Sequence, residues 1–102
     1  MTSIQAIDVD ANDNVALAGR STDLAIVSNA GNAIMGVLDA SGFEYRWLVE
    51  FNGLTNQVAR KITFSIDSSK VMVLFNPDPM TIIVVDASNG LNILAKLTDS
   101  AS

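Results

Sequence analysis

The chain has 102 residues, 49% of them hydrophobic, enough for one ordinary domain or for two supersecondary units of about 45 to 55 residues each. Six basic against eleven acidic residues give a net charge of −5, and Arg20, Arg46, Arg60, Lys61, Lys70 and Lys96 are scattered, which argues against nucleic acid and anionic membrane as partners. Cys and His are both absent, which excludes disulfides and thiolate sites and removes the commonest general base and the commonest zinc ligand.

In chain order, strands are predicted near Ile4–Val9, Val15–Arg20, Ile34–Leu38 and Tyr45–Phe51, then near Ala59–Ile66, Val71–Asn76, Thr81–Asp86 and Ile93–Leu97. The grounds are period-two alternation, as in Ile62-Thr63-Phe64-Ser65-Ile66 and in Val71, Val73 and Phe75, and runs of Val, Ile, Thr and Phe bounded by Asp, Asn, Ser, Gly and Pro. Between the second and third strands, Ser21 to Asn32 is a long connection containing the short apolar stretch Leu24–Val27. The best helix candidate is Thr55 to Lys61, although Gln57-Val58-Ala59 can equally open a strand. Asn76-Pro77-Asp78-Pro79 is the clearest turn, because prolines cannot continue a ladder. Short polar turns favour antiparallel neighbours, since a parallel partner needs a long crossover. The expected fold class is all-β, two four-stranded antiparallel meanders.

The two halves repeat one another. Val37-Leu38-Asp39-Ala40-Ser41-Gly42 is matched 47 residues later by Val84-Val85-Asp86-Ala87-Ser88-Asn89-Gly90, and the run around Val15 by that around Val71, 56 residues later. The first copy therefore carries nine more residues, placed in Ser21 to Asn32. The units run from about 4 to 53 and from about 54 to 98, within a single β-repeat domain at 1–102. A fixed period of this kind marks units that cannot bury their apolar faces alone and must stack.

Asp67-Ser68-Ser69-Lys70-Val71-Met72-Val73 followed by Ile82-Ile83-Val84-Val85-Asp86-Ala87-Ser88-Asn89-Gly90 resembles the middle strands and turn of a β-propeller blade of the quinoprotein-dehydrogenase-like or WD40-like superfamily. Leu38-Asp39-Ala40-Ser41-Gly42 with Tyr45-Arg46-Trp47 is similar to the same blade with a longer connection. The chain lacks the Gly-His and Trp-Asp dipeptides, and nothing in it matches a quinone site or its metal ligands, so the enzymatic side of the superfamily is not carried over. The resemblance implies a partial propeller, because propellers use about four to eight blades, each covered on both faces. Ile62, Phe64, Val71, Val73, Ile83 and Val85 are too dense for solvent to lie against every outer face. The expected partner is protein: further copies that complete a ring, an isologous dimer, or the chains of a larger assembly.

One cluster suggests a metal. Asp8, Asp10, Asn12 and Asp13, with Asn14, offer oxygen ligands suited to calcium; Asp10-Ala11-Asn12-Asp13-Asn14 matches a cadherin calcium string and Asp8-x-Asp10-x-Asn12 the opening of an EF-hand loop. The EF-hand Gly and Glu are missing, as is a cadherin Asp-Arg-Glu, and a hairpin turn rich in Asx residues explains the same letters. No other cofactor is expected. Tyr45, Trp47, Val49 and Phe51 alternate along one strand and read as core packing rather than a stacking platform, and Glu44 and Glu50 read as solvated-face residues.

Three functions from different classes follow. The first is a non-catalytic structural or protein-interaction module. The second is a calcium-dependent adhesion module. The third is a fragment of a propeller enzyme whose site forms on assembly, with Asp, Glu, Lys or Tyr for its chemistry. No signal segment is visible at Met1–Gln5, and Ile82–Val85, the longest aliphatic run, is too short to span a bilayer.

Overall fold

A computed structural model describes residues 2–21, 32–41, 44–55, 58–76 and 80–99. Eight strands follow in order: β1 (Thr2–Val9), β2 (Val15–Ser21), β3 (Asn32–Leu38), β4 (Tyr45–Thr55), β5 (Val58–Phe64), β6 (Lys70–Asn76), β7 (Met80–Asp86) and β8 (Asn89–Asp99). They form two four-stranded antiparallel sheets, ordered β1-β2-β3-β4 and β5-β6-β7-β8, and neither closes into a barrel. The described residues contain no helix. Residues 58–61 of the helix candidate belong to β5, where Ala59 and Ile62 are buried and the residues between them exposed, so sheet packing overrides the local helical tendency. The expected fifth strand also ends two residues early, because Ser65 and Lys70 close a turn that leaves Ile66 fully exposed. The connection at 22–31 and the prolines at 77 and 79 lie outside the described residues.

The pairing registers of the two sheets correspond position by position. Ile7↔Leu17, Leu17↔Gly36 and Gly36↔Leu48 in the first sheet match Ile62↔Val73, Val73↔Ile83 and Ile83↔Lys96 in the second. The irregularities correspond as well. Gln5 and Arg60 are extra residues at the same point of β1 and β5, as are Arg46 and Leu94 in β4 and β8. The hairpin turns carry their only described left-handed non-glycine residues, Asp13 (φ 64°) and Ser68 (φ 62°), at corresponding places.

Side chains alternate across a strand, so each sheet has two faces. The facing surfaces meet in one core. Ala16, Ala18, Ala33, Met35 and Val37 come from the first sheet and Ala59, Ile62, Val71, Val73, Phe75, Ile83 and Val85 from the second. Phe51 and Phe75 meet edge to face across this layer, with ring centroids 6.1 Å apart. The sheets lie together along β1, β2 and β5, and β4 meets β8 where Trp47 lies against Gly90. The shortest molecular extent, 20 Å, is that of two sheets about 10 Å apart with their outward side chains.

The alternation expected along β4 is interrupted. Because Arg46 is an extra residue opposite Val37 and Leu38, Trp47, Val49 and Phe51 point into the core while Tyr45 turns to the other face and lies over Gly36. The six residues whose density calls for cover, Ile62, Phe64, Val71, Val73, Ile83 and Val85, all lie on the covered face of the second sheet.

Candidate functional site

The turns β1–β2, β3–β4, β5–β6 and β7–β8 share one end of the molecule, and each has an Asp at its start or centre. The Asp10 carboxylate accepts the amides of Asn12 and Asn14 (2.9 Å each) and the Asn14 side-chain N–H (3.0 Å). Asp67 accepts the Ser69 amide and the Ser65 and Ser69 hydroxyls, and Asp86 accepts the amide and hydroxyl of Ser88. These are Asx-type closures, in which a short carboxylate satisfies amides two residues on. Asp39 differs, since its carboxylate takes the Arg46 guanidinium. Neighbouring turns are linked too: the Ala40 amide donates to Asn14 Oδ1 and the Ala87 amide to the Ser69 carbonyl.

Hydrogen bonding lowers three of these carboxyls. Slight burial works against the charge of Asp10, but donors from Asn14, Asn12 and Ser68 outweigh it. The Ser69 hydroxyl, then the Ser65 hydroxyl and the Ser69 amide, hold Asp67 far below the carboxylate range, and the Ser88 hydroxyl and amide lower Asp86. A lowered folded-state pKa contributes stability above the unfolded value, 3.8, and that stability is lost as pH falls through the folded value. Asp67 is therefore expected to remain ionised at pH 3, visible as an unshifted carboxyl ¹³C resonance, and the melting temperature to fall only below about pH 4.

The four residues singled out for calcium do not converge. Asp8 leaves the turn and accepts the Phe64 amide of the opposite sheet through Oδ2 at 2.8 Å. Asp10 is turned into its own loop, Asn12 enters through its backbone amide, and Asp13 holds the left-handed position. Among the described residues no group of three or more His, Cys, Asp or Glu side chains is placed to hold a metal ion. With Asp8 and Asp10 already serving amide donors, millimolar calcium is expected to leave the thermal midpoint unmoved; a rise would reveal binding to the native state.

What the carboxylate of Asp8 does is fasten the sheets. β5 is an edge strand, and two of its outward amides are received by β1 side chains: Phe64 by Asp8, and Ala59 by Gln5 Oε1 at 2.9 Å. The bulge at Gln5 aims that side chain across the gap. At the opposite border the bulged Arg46 and its neighbour Trp47 both donate to the Ala87 carbonyl, at 3.1 and 2.8 Å. Asp8→Ala should cost about 1–3 kcal/mol by stranding a part-buried amide, and Asp8→Asn, which keeps an acceptor, clearly less; urea midpoints measure the difference.

The outward faces differ from each other. On the second sheet Met72, Leu74, Ile82, Val84 and Leu97 alternate with the core residues, none of them is buried, and Met72 and Leu97 are exposed. On the first sheet Leu17 and Ile34 are buried, whereas Ile4, Ile7 and Val9 form an exposed apolar rim along β1. Glu44 is exposed as expected, but Glu50 pairs with Ile34 and its Oε2 is buried with no hydrogen-bond partner among the described residues. The sequence pattern showed one apolar face in need of cover, the one that the sheets bury between them; the apolar outward face and the cross-sheet roles of Gln5, Arg46 and Asp8 were not legible. Comparison with protein-family models and with curated proteins returns no match.

Proposed function

We propose that the chain is a non-catalytic structural or protein-interaction module, two propeller-like blades forming a partial propeller whose open faces are completed by protein. The supporting observation is the outward face of the second sheet, where Met72 and Leu97 are exposed and Leu74, Ile82 and Val84 are half-buried, together an apolar surface. Contiguous apolar surface on a sheet face is what docking sites are made of. The corresponding registers of the two sheets favour the stacked-unit reading, since each unit has a face that another unit can cover. A chain without His or Cys also has few side chains suited to acid–base or nucleophilic chemistry near neutral pH.

Light scattering across a concentration series tests this. A discrete species heavier than the 10.8 kDa chain is the expected result, and a 10.8 kDa monomer persisting at high concentration would overturn the reading.

A further inference from the structure

We infer that the open face of the second sheet receives the β1 rim of another copy of this chain, head to tail. The inference rests on the reading above and names its partner. It comes from which faces meet inside the molecule. Under the register correspondence, Ala16, Ala18, Met35 and Val37 in the first sheet match Met72, Leu74, Ile82 and Val84 in the second. The first set is buried in the core; the second points outward. Conversely, the buried Ala59 and Ile62 and the part-buried Phe64 match Ile4, Ile7 and Val9, which are 46%, 64% and 52% exposed. The two sheets therefore do not pack through equivalent faces, as a two-fold sandwich would. One unit's front meets the next unit's back, which leaves open the front of the second unit and, on the back of the first, the β1 border at Ile4, Ile7 and Val9.

That arrangement is open-ended. The open front of the second unit corresponds to the face that the first unit buries inside the chain, and the exposed β1 border of the first unit's back corresponds to the β5 border that covers it. A second copy can repeat the contact with its β1 in the place of β5. Ile4, Ile7 and Val9 of the incoming copy then lie against Met72 and Leu74, as β5, with Ala59, Ile62 and Phe64, lies against β1 and β2 in the core that holds Ala16 and Ala18. Bulk has moved between the partners: Met72 and Leu74 stand where the first sheet has alanines, and Gly19 and Gly36 stand where the second has Phe75 and Ile83. Leu17 and Ile34 are already covered, so the free part of the incoming face is its β1 border, the border through which β5 makes the internal interface. Thr63 occupies the position of Asp8, so a side-chain oxygen is retained there to receive an edge amide from the incoming β1. A contact between unlike faces propagates until rotation closes it, giving a ring with two units per copy.

Complementation between two variants distinguishes this from the alternatives. Ile7→Asp disables the rim and leaves the face; Met72→Asp disables the face, where Met72 is 41% exposed, and leaves the rim. Circular dichroism and a cooperative melt establish that each folds, and Val9→Asp with Leu97→Asp, at 52% and 62% exposure, replaces any that does not. The wild type is expected as a discrete multimer, each variant as a 10.8 kDa monomer, and the equimolar mixture as a species of about twice that mass, because one intact rim meets one intact face. A multimeric wild type with an unaffected Ile7→Asp variant, or a mixture that stays monomeric, would overturn the head-to-tail contact and leave the docking reading standing. A monomeric wild type would overturn the docking reading itself.

Discussion

Trp47→Ala should lower the unfolding free energy by about 3–5 kcal/mol, read from urea midpoints at constant slope. The indole packs against the core, and its Nε1 donates to the Ala87 carbonyl across the sheets at 2.8 Å. The ring lies directly on Gly90, where an added Cβ would come within 2.2 Å of Trp47 Cε3. Gly90 is therefore needed for close approach rather than for backbone freedom. Gly90→Ala is expected to be strongly destabilising in the wild type, since the ring must leave its hydrogen bond to make room. In the Trp47→Ala background it should be nearly neutral. That non-additivity is the decisive readout, because substitutions at independent sites add within about 0.5 kcal/mol.

Phe75→Ala should be comparably severe, about 3–5 kcal/mol, against a total stability of about 5–15 kcal/mol for a domain of this kind. Phe75 is among the largest side chains that are fully buried, and its ring fills the space opposite Ala59 and beside Phe51. The first sheet contributes Ala16, Ala18 and Ala33 to this core, and their single methyl groups cannot extend to fill a gap. Phe75→Leu, which retains most of the volume, should cost distinctly less. Equal losses for Ala and Leu in thermal or urea unfolding would show that the ring's volume is not what matters there.

The strands were legible because alternation and turn chemistry agree along most of the chain. β6 is an example: Val71, Val73 and Phe75 are buried, while Lys70 before them and Met72 between them are exposed. Asp67 and Asp86 at turn positions also behave as short carboxylates do when amides lie two residues ahead. Legibility failed where one residue is inserted into a ladder. The extra Arg46 sends Tyr45 to the opposite face from Trp47, and no local pattern distinguishes an inserted residue from a paired one. The role of Asp8 between the sheets was not legible either: the amide it accepts belongs to Phe64, 56 residues away, a relation set by the packing of the sheets. The open surface was foreseen in kind but assigned to the wrong alternation, because sequence gives two faces without saying which one a neighbouring sheet will take.

The β1 side chains that hold Ala59 and Phe64 also have a protective effect. A strand at the border of a sheet offers unpaired donors on which a foreign β-segment can template itself, the first step toward fibrils. Here two of those donors are occupied by carboxamide and carboxylate oxygens of the same polypeptide. That flank is thereby denied to intruding strands, and resistance to amyloid-like growth is built into the joint that assembles the native molecule.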